Sequence, residues 1–306
     1  MIKLFTHTDL DGIGCAVLAK IAFDTDFDAN VDIEYCNYDE INHKVEEYFN
    51  NGSKYECHIT DISIDEELAY KINDSDKNYV LLDHHATALK LNKFSWCNVQ
   101  VENKETNIQT SGTEMYYNWL VDNGYLHKTD ALNRFVELIR NYDTWRWSTL
   151  GEEGIICKKV NDLFHIYGRD KFIRWCISEI HDGVFPRLYA SDELVLDIEQ
   201  NNIDNYIKNK NEQLLIMPLC DMTCGVVFAE KYFSELGNRL CQMHPEIDFV
   251  AMIDMRGTVS YRTVKDGIDL GKDVAKLFGG GGHAKAAGST FANGVQFDVI
   301  NSIFKI

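Results

Sequence analysis

Four short segments of this 306-residue chain set carboxylates and imidazoles at spacings suited to holding cations. The first is His7-Thr8-Asp9-Leu10-Asp11-Gly12. An extended backbone there would point His7, Asp9 and Asp11 the same way, and Gly12 and Gly14 would allow a tight turn into a helix. The second is Thr60-Asp61, the third Asp83-His84-His85, and the fourth Asn141-Tyr142-Asp143 at a helix end. Taken singly, Asp9, Asp11 and Asp61 would serve as caps or turn residues. A calcium loop is excluded, because His7 would fall at its first position and Leu18 at its twelfth. Taken together, aspartates gathered in a cleft repel one another unless a cation sits among them. Mixed carboxylate and imidazole ligands suit two divalent ions, Mn²⁺ first, with Mg²⁺, Co²⁺ or Fe²⁺ as alternatives, and the lack of thiolates argues against structural Zn²⁺. Two such ions would activate water for phosphoryl displacement with no nucleophilic side chain needed.

A second kind of chemistry is suggested by Gly279-Gly280-Gly281-Gly282-His283, which leads into Ala286-Ala287-Gly288. Four glycines exceed what a helix C-cap needs, and such a loop can offer backbone N–H groups to an anion. It is not a P-loop, since no Gly-Lys-Ser/Thr follows at the required spacing. Arg262, in Ser260-Tyr261-Arg262-Thr263, is a further anion candidate because its planar fork matches phosphate.

The elements that must position these groups follow from the hydrophobic pattern. Ile2–Phe5, Val31–Tyr35, Cys57–Thr60 and Tyr79–Leu82 are short apolar runs that read as strands. Helical segments at Ala16–Ala22, Ile41–Phe49 and Asp65–Asn73 separate them, which implies a parallel sheet covered on both faces. Strand carboxyl ends in such a sheet share one edge, and ligands bind there. Helices are then expected at Thr113–Asp122, Ala131–Asn141 and Lys171–Ile180. The stretch ending at Pro186 reads as a domain edge. Ser191–Gln213 reads as a long polar helix that starts near Ser191 and Asp192. Strands are expected at Leu214–Leu219, Gly225–Phe228, Phe249–Met255 and Val259–Thr263. Leu270, Val274, Leu277 and Phe278 would then line one face of a helix. The expected organisation is α/β in two lobes: 1–186, a connecting helix 187–213, and a smaller α/β domain 214–306.

The ordered set His7-x-Asp9-x-Asp11-Gly12, Thr60-Asp61, Asp83-His84-His85 and Asp143 resembles the DHH phosphoesterase superfamily. Gly279–His283 with Ala286-Ala287-Gly288 is similar to the glycine-rich motif of the DHH-associated C-terminal domain. The pattern spans residues 7 to 288 and is nearest to nano-RNase B-type oligoribonucleases. The resemblance implies one metal held by His7, Asp9 and Asp61, and another held by Asp11, Asp61, His84 and Asp143, with Asp61 bridging. Many members space the first motif more widely, as His-x-x-x-Asp-x-Asp, so the ion served by His7 stays open. His85 would lie beside the reacting phosphate, giving His85 and Asp61 catalytic roles. Arg262, Gly280, Gly281, Gly282 and His283 would grip the substrate. Trp145 and Trp147 are candidates to stack on a base, or simply core aromatics.

Composition narrows the partners. Thirty basic against 48 acidic residues give a net charge of −18, which repels long duplex backbones. There is no apolar run of about 18 residues, so no membrane span is expected, and no leader pattern opens the chain. Nine scattered cysteines with no Cys-x-x-Cys pair read as buried thiols of a cytoplasmic protein. The resemblance implies hydrolysis of short oligoribonucleotides or linear dinucleotides to nucleoside monophosphates, by a chain that could be a homodimer. The alternatives are a phosphatase or phosphodiesterase on pAp or cyclic dinucleotides, or a catalytically idle nucleotide-binding protein.

Overall fold

The computed structural model describes residues 1–24, 30–52, 55–75, 78–104, 106–292 and 294–305, which fall into two compact units, Met1–Leu196 and Asp197–Ile306.

The first unit is built on five parallel strands: β1 (Ile2–Thr6), β2 (Val31–Tyr35), β3 (Glu56–Thr60), β4 (Tyr79–Asp83) and β5 (Cys97–Val99), in spatial order β2-β1-β3-β4-β5. Helices α1 (Leu10–Phe23), α2 (Ile41–Asn50) and α3 (Glu66–Asn73) connect the first four. Because β1 lies between β2 and β3, the chain leaves it in opposite directions. Right-handed crossovers then place α1 on one face and α2 and α3 on the other. Alternation along β1 matches this. Leu4 joins the core under α1, and its neighbour Phe5 joins the core under α2 and α3. The strand order therefore reverses between β1 and β3, the place where open α/β sheets leave a crevice beyond the strand ends.

A two-stranded ribbon, β6 (Glu102–Asn103) and β7 (Ile108–Gln109), precedes a helical layer over the α1 face: α4 (Gly112–Asp122), α5 (Asp130–Asp143), α6 (Glu152–Tyr167) and α7 (Arg169–His181). The cap of α4 is a Ser-x-x-Glu box, in which the Glu114 N–H donates to Ser111 Oγ at 3.2 Å. Glu114 also receives Arg140 Nη1 at 2.6 Å, an ion pair largely shielded from water that pins α4 to α5.

Helix α8 (Ala190–Asn211) passes from one unit into the other. Leu196 packs into the core of the first unit, whereas Ile203 and Ile207 pack into that of the second, so the division falls within the helix.

The second unit is a mixed six-stranded sheet of order β12-β13-β11-β10-β9-β8. Its strands are β8 (Leu215–Leu219), β9 (Met222–Phe228), β10 (Phe249–Asp254), β11 (Thr258–Arg262), β12 (Gly281–Gly282) and β13 (Ala286–Thr290). Only β9 and β10 run parallel, joined by α9 (Phe233–Met243). One face packs α9 and the end of α8, and the other packs Leu270, Val274 and Ala275. The expected helix over Leu270–Phe278 is broken. The chain makes one turn, α10 (Leu270–Asp273), leaves helical geometry at Val274 (φ −125°, ψ −69°) and continues as a 3₁₀ turn. Leu270 and Val274 are fully buried, but Leu277 is 66% exposed, so the apolar spacing was not one buried face. Helices α6, α9 and a terminal α11 (Val295–Phe304) were not read from the pattern. In α11 no residue is buried, so packing gives no stripe to find.

All nine cysteines are free, eight of them buried. Among the described residues no helix is long and apolar enough to cross a membrane.

Candidate metal centre

Every acidic or histidine segment singled out in the first unit reaches the same sheet edge. His7 and Asp9 follow β1, Asp61 follows β3, Asp83 ends β4 with His84 and His85 behind it, and Asp143 closes α5. Asp9 is the N-cap of α1, its Oδ1 accepting the Gly12 N–H at 3.1 Å. Gly12 is needed because a Cβ there would lie 2.2 Å from the His7 carbonyl oxygen. Beneath the site, Thr60 donates to Thr6 Oγ1 and Thr6 donates to the Gly12 carbonyl, each at 3.0 Å, which ties both strand ends to the start of α1.

Asp61 is the centre of the cluster. It is 1% exposed and adopts a left-handed backbone (φ 58°), which aspartate tolerates better than most residues. Its Oδ2 lies 4.0 Å from His7 Nδ1, and its Oδ1 lies 3.2 Å from His84 Nε2. His84 Nε2 is also 3.7 Å from Asp11 Oδ2 and 3.6 Å from Asp143 Oδ2. His7 Nδ1 is 2.9 Å from Asp9 Oδ2. The groups fall into three overlapping sets, His7 with Asp9 and Asp61, Asp11 with His84 and Asp143, and Asp61 with Asp83, His84 and His85.

These contacts are close without being hydrogen bonds. His7 Nδ1, both Asp61 oxygens and His84 Nε2 are buried, and none finds a partner in hydrogen-bonding geometry. Buried polar atoms left in this state are costly. A cation supplies what they lack, so the donor set fits one or two divalent ions of the kind that take oxygen and imidazole ligands. Asp11 is placed by the protein itself: its two oxygens accept the Gly112 and Thr113 N–H groups, at 2.5 and 2.9 Å, at the positive end of α4. Each carboxylate oxygen retains a lone pair for a ligand.

The electrostatics match. Burial, followed by the charges of Asp11 and Asp9, pushes Asp61 and Asp143 well above the usual carboxylate range. Protein packed around Asp9 works against its ionisation, yet the His7 contact and the Gly12 N–H hold it down at about 2. About half of the Asp9 side chain stays accessible, so the His7 contact carries more weight than burial. The adjacent histidines are driven apart. Burial lowers His84, favouring a neutral ring with Nε2 available. Burial also opposes protonation of His85, but its bond to Asp83 and the nearby aspartate charges outweigh it and raise it.

No family model matches the chain. Over its whole length it is 35% identical to oligoribonuclease NrnB of Bacillus subtilis (strain 168), and the alignment takes in 77% of that protein. The chain belongs to the NrnB family within the DHH superfamily. Two solved structures share the fold. The exonuclease RecJ bound to manganese superposes with a TM-score of 0.61 at 11% identity, covering 98% of this chain and 88% of RecJ. The pGpG-specific phosphodiesterase PggH from Vibrio cholerae gives 0.53 at 13%, covering 100% and 98%.

Within this DHH chain several groups at the site escaped the sequence reading. Asp83, quoted as part of its motif but given no role, is 1% exposed. It accepts Ser63 Oγ at 2.5 Å and the His84 N–H at 2.8 Å, and it meets His85 Nδ1 at 2.7 Å. Tyr38, in the loop after β2, brings its hydroxyl to 3.1 Å from His85 Nε2. Gly112 lets α4 approach, since a Cβ there would sit 2.4 Å from Asp61 Cβ. The Ser111-Gly112-Thr113-Glu114 capping pattern was the available signal for that helix start, whereas nothing in the sequence marks Tyr38.

The residues expected to grip substrate lie in the second unit. Arg262 ends β11 and packs on α9, with Nη1 donating to the Tyr261 carbonyl at 2.9 Å and Nη2 to Ser234 Oγ at 3.3 Å. The glycines do more than form an open anion loop. Gly281 and Gly282 are a strand paired with Gly288 and Ala287, and a Cβ at Gly280 would lie 2.0 Å from the Gly288 carbonyl oxygen. His283 is exposed in the tight turn after them, its N–H donating to the Ala286 carbonyl at 2.8 Å. Arg262 pairs with Ala286 across the sheet, so it shares that strand end. Trp147 stacks on Tyr142 at 5.8 Å, and Trp145, 45% exposed, meets it edge-on.

Proposed function

We propose that the chain is a divalent-metal-dependent phosphodiesterase that cleaves very short oligoribonucleotides or linear dinucleotides to nucleoside monophosphates. The observation that carries this reading is the gathering of His7, Asp9, Asp11, Asp61, His84 and Asp143 around buried atoms with no hydrogen-bond partner. His7, Asp9 and Asp61 would hold one ion. Asp11, Asp61, His84 and Asp143 would hold a second, with Asp61 shared and Mn²⁺ the first choice. When bound, such ions supply Lewis acidity toward phosphate and water.

The chain's own groups account for the rest. Hydrolysis breaks one P–O ester bond, and the departing oxygen needs a proton. His85 is suited to supply it or to bind the adjacent phosphate oxygen. Asp83, an acceptor only, fixes a proton on Nδ1 and leaves Nε2 directed away from it. Neutral His84 and raised His85 give neighbouring rings separate tasks. Arg262, the segment Gly280–Gly282 and His283 are assigned to the substrate's phosphate and sugar.

The test is a substrate panel in Mn²⁺: di- to pentanucleotides, a 24-mer, pAp, cyclic dinucleotides and pyrophosphate, with products resolved chromatographically. Dinucleotides should be consumed fastest and yield mononucleotides. Equal rates on dimers and 24-mers would overturn the short-substrate assignment, and exclusive turnover of pAp would replace it with the phosphatase alternative.

A further inference from the structure

Tyr38 stands beside the carboxylate cluster. Its residue surface is 58% exposed, yet its hydroxyl is turned inward to 3.1 Å from His85 Nε2, and its ring lies 5.0 Å from that of His7. The loop that carries it is anchored. The Cys36 N–H donates to the Thr6 carbonyl at 2.9 Å, Thr8 Oγ1 donates to Asn37 Oδ1 at 3.1 Å, and the Asn37 N–H donates to Glu40 Oε2 at 3.1 Å. The ring is therefore held at the rim of the carboxylate cluster by its backbone, not by burial in a core.

Asp83 occupies Nδ1 of His85, so a phosphodiester can meet that ring only at Nε2, where the Tyr38 hydroxyl stands. We propose that Tyr38 is a substrate-positioning residue. Its hydroxyl keeps His85 aligned in the free protein and, on binding, turns to donate to a non-bridging phosphate oxygen beside His85 Nε2, and its ring walls the nucleoside next to the scissile phosphate. This rests on the phosphodiesterase reading above and extends it to an aromatic contact that favours a nucleoside-bearing diester over bare phosphate. The half-exposed ring has no core packing to break when it shifts, and a phenol is a neutral donor among carboxylates that would otherwise repel a phosphate. Aromatic faces take any base.

The experiment uses the full chain with Mn²⁺ and the linear dinucleotide pApA, comparing Tyr38→Phe with Tyr38→Ala. Loss of the hydroxyl alone should lower kcat about tenfold with KM within about twofold of wild type. Loss of the ring should add an increase in KM of about tenfold. Bound manganese, by elemental analysis, should be unchanged in both. A kcat for Tyr38→Phe equal to or above wild type overturns the proposal. So does metal loss in either variant, which would make Tyr38 a support for His7. Should Tyr38→Ala fail to fold, Tyr38→Phe decides alone. A wild type inert toward every dinucleotide removes the underlying function as well, an outcome distinct from an active wild type with indifferent Tyr38 variants.

Discussion

The two units handle buried polar groups in opposite ways. In the second, Asp254 is closed by Arg256, Thr263 Oγ1 donates to the Asp248 carbonyl, and Ser289 pairs with Tyr261. Among its described residues no buried side-chain nitrogen or oxygen lacks a partner. In the first, Asp61, His7 and His84 hold buried atoms without one, beside Asp11 and Asp143. One unit is satisfied as it stands, whereas the other carries a strained acidic centre that a cation would relieve. On the proposed reading the chemistry belongs to the first unit, and the second contributes exposed groups such as His283.

The sharpest way to break this contrast is Asp61→Asn. Asparagine tolerates the left-handed backbone, so the change removes charge without new strain. Turnover should fall by at least about a hundredfold, since even groups that merely support a metal ligand cost about 10–100-fold. Bound manganese should drop in elemental analysis. Near-normal activity would refute the shared ligand. In the presence of chelator the same variant should melt higher than wild type, because one buried charge is gone.

Chelation sharpens the comparison through pH. Asp61 and Asp143 titrate above the usual carboxylate value in the folded chain, so the folded state binds more protons than the unfolded one above about pH 4. Their contribution to stability is complete below that value and is lost as pH rises through the raised pKa values. Asp9 and Asp83, which are lowered, do not contribute a slope in that window; theirs is lost only as pH falls below it. With EDTA the thermal midpoint should therefore fall from about pH 5 upward, and saturating Mn²⁺ should flatten or reverse that slope. A midpoint insensitive to metal across the range would deny that the cluster is a cation site.

Much of this was legible in the sequence, for a physical reason. Strands β1, β3 and β4 are short runs buried along nearly their whole length, and their pattern survives any tertiary context, whereas β2 is a half-buried edge strand. Residues that follow such strands must share an edge, so the sequence alone brings His7, Asp9, Asp61 and His84 together. It does not bring in Tyr38 or Gly112. Each acts across the fold on a residue distant in sequence, and neither departs from ordinary loop or helix composition. Leu277 illustrates the opposite failure. Its spacing from Leu270 fits a helix face, but the chain departs from helical geometry at Val274 and turns Leu277 to solvent.

Gly112→Ala tests the first unit without replacing a ligand. The added carbon meets Asp61 Cβ at 2.4 Å and Cα at 2.8 Å, so backbone must move. Overpacking of this kind costs about 1–3 kcal/mol. Weaker manganese binding should accompany the loss of thermal stability. The counterpart in the second unit is Gly237→Ala, where the new carbon meets Arg262 Cγ at 2.6 Å and the end of Met252 at 2.8 Å. Side chains can yield there, so stability should fall less and metal content should not change. Equal metal loss in both variants would erase the distinction between the units.

The smallest effect is expected from His283→Ala. The residue is exposed in a turn held by its own backbone, so truncation should leave folding intact. Bound manganese should match wild type, while KM for a dinucleotide should rise about tenfold, the size of one hydrogen bond to a charged group. Arg262 is less suited to truncation, because it packs beside Gly237 and removing it would open a void. Arg262→Lys keeps the stem and loses the fork, and should move KM in the same direction. If His283→Ala instead releases metal, the imidazole belongs among the ligands and the division of labour between the units fails. If neither variant moves KM, the second unit contacts substrate through other groups, and the glycine pairing of β12 with β13 is then a matter of close strand packing alone.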